Sequence, residues 1–192
     1  MNIYQKVSVI LALFLYLPLG WKILKGKVTQ NLATFILWGS LDAIAGASML
    51  AQGSGNYQLP FAYASGAVVI CLCILKSKTF SWTGFETFVS FLVLGPVLGW
   101  HYSGPYLATI FSTTGVALAT LPQLRDSWRE PEKSPMLEYV GYMTTNSLSI
   151  VGAAAWTVEE RLYSVVCAIL CVLIILASLK KYFMSGFEEA RQ

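Results

Sequence analysis

What most constrains this chain is a succession of apolar stretches, each long enough to cross a lipid hydrocarbon core and each separated from the next by a few polar residues. A helix rises 1.5 Å per residue, so about 20 apolar residues cover a core of roughly 30 Å. Seven stretches reach that length, at about 4–24, 31–52, 57–76, 82–101, 103–122, 136–156 and 161–181. Little chain remains between them, which leaves no room for a soluble catalytic domain. At 56% hydrophobic, 14% aromatic and 12% charged residues, the sequence is too apolar for an ordinary water-soluble domain. The expected fold is an all-α membrane protein with seven transmembrane helices, solvated by the lipid bilayer.

The first span starts close to Met1, holds Pro18 and Trp21 and lacks a small-residue cleavage site, so it reads as a retained helix rather than a signal peptide. Cys71, Cys73, Cys167 and Cys171 all lie inside spans at helical spacing. With no histidine beside them, they read as packed or lipid-facing thiols, and neither a metal nor another cofactor is implied. Orientation follows from the basic residues, which are retained on the cytoplasmic side. Lys22, Lys25, Lys27, Lys76, Lys78, Arg125, Arg129, Lys133, Lys180, Lys181 and Arg191 share one side, against Lys6 and Arg161 on the other. That asymmetry places the N-terminus outside and the C-terminus in the cytosol. The net charge of +3 then requires no nucleic-acid partner. Short tails without sorting motifs point to a bacterial inner (cell) membrane, and a homo-oligomer stays open.

Pro18 and Pro122 are 104 residues apart. Sliding the sequence on itself by that shift aligns Leu17 with Leu121, Ala51 with Ala155, Leu72 with Leu176, Leu75 with Leu179 and Lys76 with Lys180. Identity is sparse, but spans one to three superpose on spans five to seven in extent and direction, leaving the fourth as a linker. The organisation expected is a first triple-helix bundle over 1–78, a linker helix over 79–102, a second, parallel bundle over 103–182, and a cytoplasmic tail over 183–192.

This 3+1+3 plan, with LPQL at 121–124 and LPLG at 17–20 closing the first helix of each triplet, resembles the PQ-loop superfamily, which includes the SWEET (MtN3/saliva) sugar transporters, cystinosin and lysosomal amino-acid exporters. The resemblance covers about residues 4–181. It implies a small-solute transporter working by alternating access, with Pro18 and Pro122 as hinges of the cytoplasmic gate. Physically, each proline disrupts the hydrogen bond to the carbonyl four residues back, at Phe14 and Leu118, so the helix can bend there or simply stop. Gln123 carries an amide able to satisfy freed backbone groups or bridge to a neighbouring helix; its counterpart, Leu19, does not.

The same shift pairs Asp42 with Asn146, Trp38 with Tyr142 and Phe35 with Tyr139. Asp42 lies about 18 Å into the roughly 30 Å core, near mid-membrane, where an ionisable group costs several kcal/mol unless it faces a wet cavity or a partner. On a helical wheel it shares a face with Phe35, Trp38 and Met49, and Ala43, Ala47 and Ala51 form a small-residue stripe suited to close packing on the other. Three roles are open to Asp42: binding a cationic or amino-bearing cargo, holding a proton in a coupled cycle, or a structural hydrogen bond with Ser40 or Ser48. Asn146 is either a second cargo contact or a link between helices. Trp38 and Tyr142 supply apolar walls with a polar handle, or packing. Thr113, in a fifth span also carrying Thr109, Ser112, Thr114 and Thr120, is expected to line the route.

Sugar transporters of the resembled family have an asparagine in the third helix of each triplet, and here the corresponding spans have none near their middle. Tyr63, Ser65 and Cys167 are the nearest polar candidates. The cargo expected is therefore a sugar, an amino acid or a similar small polar metabolite. Glu86 and Glu138 read as partners of loop lysines, Trp100, His101 and Tyr102 as an interfacial aromatic belt, and Glu159, Glu160 and Arg161 as a solvated external turn. No metalloprotease motif, nucleophile elbow or phosphate loop is present, so no enzymatic activity is expected. A retinal protein would need a lysine deep in the last span, and none lies between Arg161 and Lys180. The competing reading is a receptor on the same fold, as in the KDEL-signal receptors, which would want basic residues in the cavity.

Overall fold

The computed structural model describes residues 2–78, 80 and 82–189; within these, the side chains at 92, 95–97, 99–101, 103 and 181–189 lie outside the description. Trp100 and His101 of the expected aromatic belt are among the latter. Among the described residues there is no strand. The helices are α1 (Ile3–Leu24), α2 (Leu32–Ala51), α3 (Gln58–Ser77), α4 (Gly84–Ala119), α5 (Leu121–Arg129), α6 (Met136–Gly152) and α7 (Tyr163–Glu189). A 3-10 turn, Pro131–Lys133, precedes α6, and a π turn, Val158–Leu162, feeds α7.

Three helices start where the sequence supplies a cap for otherwise unpaired N–H groups. Asn2 and Gln5 form a reciprocal capping box at the start of α1, and Thr83 and Glu86 do so for α4. Asn31 caps α2 by accepting the Thr34 N–H at 3.1 Å.

Five segments are long and apolar enough to cross a membrane: Ile3–Leu24, Leu32–Ala51, Gln58–Ser77, Gly104–Arg129 and Val158–Lys180. Their outward faces are apolar as well. Along α1 alone, Ile3, Ile10, Phe14, Leu17 and Trp21 are all exposed, a contiguous surface that suits lipid and would associate in water. The two other expected spans are also helical. However, α6 has only 17 residues, short of the ~20 needed, and the stretch 82–101 runs into the next one within α4.

The boundary expected between residues 101 and 103 takes the form of a bend inside α4. Gly104 has φ 71° and ψ 172°, a conformation essentially reserved for glycine. Neither proline ends the helical chain. Pro18 lies inside α1, which continues to Leu24. Pro122 sits in the first turn of α5, where its missing N–H would have no partner in any case. LPQLRDSWR therefore forms a helix of its own instead of opening a loop.

Packing is organised around α3 and α7. α3 contacts both α1 and α2, while α7 contacts α6, α5 and α4; α1 with α6, and α2 with α4, join the two sides. The α2–α4 pair is antiparallel, since Trp38 bonds Val116 and Thr120 at one end and Gln52 bonds Pro105 and Thr109 at the other. The α1–α6 pair is antiparallel too, from Asn2 beside Gly152 to Lys22 beside Glu138. Close approach falls on glycine rather than on the expected alanine stripe. Ala47 and Ala51 are exposed, whereas a Cβ at Gly66 would sit 1.9 Å from the Tyr16 ring. Alanines repeating every four residues mark a face, but only contact geometry shows which face a neighbour takes.

Gly104→Ala is expected to lower stability by about 1–3 kcal/mol through backbone strain. Gly84→Ala, in open space at a helix start, should be close to neutral. Thermal unfolding midpoints of the two variants in detergent check this difference.

Candidate functional site

Between the two sides lies a cavity of about 60 Å³. α2 contributes Phe35, Trp38 and Asp42 to its wall, α6 contributes Tyr139, Tyr142 and Asn146, and α3 contributes Tyr63 and Ala67. Tyr16 from α1, Val116 from α4, and Tyr163, Cys167, Leu170, Cys171 and Ile174 from α7 complete it. Five of the expected binding residues, Asp42, Asn146, Trp38, Tyr142 and Tyr63, thus meet in one place. All six members of the three repeat pairs Phe35–Tyr139, Trp38–Tyr142 and Asp42–Asn146 line it. The same 104-residue shift also relates Tyr63 to Cys167 and Ala67 to Cys171, and these four residues face the cavity as well.

Asp42 is 4% exposed, and its Oδ1 accepts the Tyr163 hydroxyl at 2.7 Å. The structural alternative therefore finds a different partner from the one expected. Ser40 donates to the Ile36 carbonyl, and Ser48 donates to the Ala45 carbonyl and meets Thr109. Among the described residues Asp42 joins no ion pair. Asn146 donates from Nδ2 to the Tyr63 hydroxyl and to the Tyr142 carbonyl, each at 2.8 Å. Its Oδ1 is buried without a partner, as is the Tyr142 hydroxyl. The Tyr63 hydroxyl also pairs with Thr145. Ring contacts run from Tyr16 to Tyr142 at 5.3 Å, Tyr63 to Tyr142 at 5.9 Å and Tyr63 to Tyr163 at 6.4 Å, within the range of favourable aromatic pairs.

Thr113 corrects the expectation for the fifth span: it is buried with an unpartnered hydroxyl but lies outside the cavity wall. Thr120 instead accepts the Trp38 indole N–H at 3.1 Å, and so fixes a cavity wall to the helix before Pro122. Ser65 is exposed and bonds its own helix. Tyr163 and Tyr16 are the residues missed by sequence reasoning. Tyr163 falls at the start of the expected seventh span, where Tyr163, Cys167 and Cys171 recur every four residues and mark one helix face.

Polar contacts tie the helix ends together on both sides of the cavity. At the basic end, Gln123 Oε1 accepts the Asn31 N–H at 2.9 Å, and Asn31 Nδ2 donates to Asp126 at 2.8 Å. Arg125 pairs with Glu86, Lys22 with Glu138, and the Tyr139 hydroxyl donates to Gln30 at 3.0 Å. At the other end, Gln5 donates to Asn56 at 2.9 Å, and Asn56 donates to the Glu160 carbonyl at 2.7 Å. The expected solvated turn is not one: Glu160 is buried and accepts the Gly55 N–H at 2.9 Å, while Arg161 donates to the Ile150 and Ala153 carbonyls and covers Trp156. Free backbone groups at helix ends draw these charges inward.

Pro18, Pro122 and Gln123 stand outside the cavity wall. Pro122 and Gln123 lie at the basic-end closure, where Gln123 ties α5 to the start of α2. Among the described residues no group of three histidine, cysteine or acidic side chains could hold a metal ion. The four cysteines are free. Compared with family models, curated proteins and solved structures, the chain matches none.

Gln123→Leu, which copies the residue at position 19, leaves the Asn31 N–H buried without an acceptor. A loss of about 1–3 kcal/mol is expected, seen as a lowered unfolding midpoint. Leu17→Ala on the exposed face of α1 should change stability by no more than about 0.5 kcal/mol.

Proposed function

We propose that the chain is a small-solute transporter of the PQ-loop/SWEET type, with seven transmembrane helices in two parallel triplets and a linker, working by alternating access. The observation that carries this reading is the convergence of three repeat-related pairs, Phe35–Tyr139, Trp38–Tyr142 and Asp42–Asn146, on one cavity between the two sides. Cargo sites at the interface of repeats are the usual construction of such transporters. Helix packing supports the same division, because the third helix of each proposed triplet, α3 or α7, packs against the other two. On this reading the two triplets are separated at Gly104, and α6 is a short membrane-crossing helix.

Closures on both sides of a central cavity are what an occluded intermediate requires. Releasing the basic-end contacts at Lys22, Asn31, Gln123 and Glu138 while keeping those at Gln5, Asn56 and Glu160 would open one face; the reverse would open the other. Pro18, inside α1, and Pro122, in the first turn of α5, are the hinges of this scheme near the basic end. The basic end faces the cytosol of a bacterial cell. No enzymatic step or cofactor is invoked. A receptor for peptide carboxylates would want a cation in the cavity, and the described lining holds none, which favours transport.

Asp42 serves in this scheme as cargo contact and as proton carrier. The other titratable groups on the described wall are Tyr16 of α1, Tyr63 of α3, Tyr139 and Tyr142 of α6, and Tyr163, Cys167 and Cys171 of α7, so among the described residues Asp42 is the only carboxyl group there. Counterflow in proteoliposomes, with sugars, amino acids and amines as cargo and with or without a pH gradient, tests the function. Asp42→Asn is expected to abolish the response to the gradient while the protein still inserts and folds. Unchanged pH dependence in that variant removes the proton role, and counterflow of no solute by the unaltered protein overturns transport.

A further inference from the structure

We propose that the cavity takes a small protonated amine, a short alkylammonium, with its N–H groups on Asp42 and Asn146 and its charge against tyrosine rings. As the identity of a cargo this rests on the transporter reading; as a binding site it rests on the cavity alone. Four observations select the ligand.

The first is charge. Asp42 is the sole acidic side chain on the described wall, with no lysine, arginine or histidine beside it. A carboxylate in hydrocarbon surroundings needs a partner, and a ligand cation supplies one. The second is the direction of the unfilled hydrogen bonds. The Tyr142 carbonyl can only accept, so the Asn146 group bonded to it is the amide nitrogen. The unpartnered Oδ1 of Asn146 is therefore an acceptor. Together with the Asp42 carboxylate, it calls for a ligand that donates.

The third is the wall. Five tyrosines, a tryptophan and a phenylalanine surround these acceptors. Aromatic faces attract organic cations, most strongly where water is excluded. A metal cation of the calcium type would want six or more oxygen ligands, which this mostly carbon lining does not offer. The fourth is size. At about 60 Å³ the space is well below the roughly 150 Å³ that holds benzene, so a short amine suits it better than a hexose. An α-amino acid brings a second carboxylate into a cavity that already holds one, and like charges at close range in a medium of low dielectric repel strongly.

Calorimetric titration of the purified full chain tests the site with n-propylammonium, its neutral analogue 1-propanol, glucose and alanine. The expected result is saturable binding of one n-propylammonium per chain, at least ten-fold tighter than 1-propanol, glucose or alanine, and weakened ten-fold or more by Asp42→Asn. The comparison with 1-propanol is made on the unaltered protein, so it decides the matter even if the variant misfolds. Equal or tighter binding of 1-propanol, glucose or alanine, or no saturable binding of n-propylammonium, overturns the proposal. Counterflow of labelled n-propylammonium, corrected with protein-free vesicles, separates this from the transport reading. Binding without counterflow upholds the amine site and contradicts transport. Counterflow of glucose or alanine without n-propylammonium binding overturns the amine site and upholds transport.

Discussion

A carboxyl group buried in an apolar helical bundle must be answered by something, and Asp42 is answered by the hydroxyl of Tyr163 and by the cavity it lines. Among the described residues Tyr163 of α7 alone bonds it, while Tyr63 of α3, Tyr142 and Asn146 of α6 and Tyr16 of α1 line the same cavity. A single hydrogen bond to a charged group is worth about 1.5–3 kcal/mol, less than the cost of burying an unpaired charge. The shortfall is the physical reason to look for a ligand or a proton at this position.

The same shortage of water explains the closures. Backbone groups freed at helix ends and at prolines must be satisfied within the protein. Asn31 shows how fully they are: it caps α2, receives Gln123 on its N–H and donates from its side chain to Asp126. Gln123 has no equivalent at Leu19, which is packed and buried. The two proline segments are therefore unequal. The second is tied across the interface by an amide, whereas the first is held by packing and by the Lys22–Glu138 pair nearby.

Much of the site was legible because its signals are loud in an apolar background. Asp42 stands out as an ionisable residue in mid-span, and the 104-residue shift selects Trp38, Tyr142 and Asn146 without knowledge of contacts. Other parts were not legible, for identifiable reasons. Tyr163 follows a Glu-Glu-Arg run that reads as solvated, yet a π turn carries it inward, and the buried Glu160 accepts N–H groups from distant Gly55 and nearby Ala154. The α4 bend is set by one glycine torsion, which composition does not reveal. Thr113 shares a helical face with Thr120, but only Thr120 reaches a cavity wall residue. The helical, membrane-suited character of the chain, by contrast, follows from span length alone.

Cys167 offers a direct test of alternating access, because it lines the cavity and is nearly buried. With Cys71, Cys73 and Cys171 replaced by alanine, a charged, membrane-impermeant thiol reagent can be applied to either face of sealed vesicles of known orientation. The account predicts labelling of Cys167 from both faces, with a cargo gradient raising the rate from one face and lowering it from the other. Labelling from one face only, or from neither under any gradient, would contradict it.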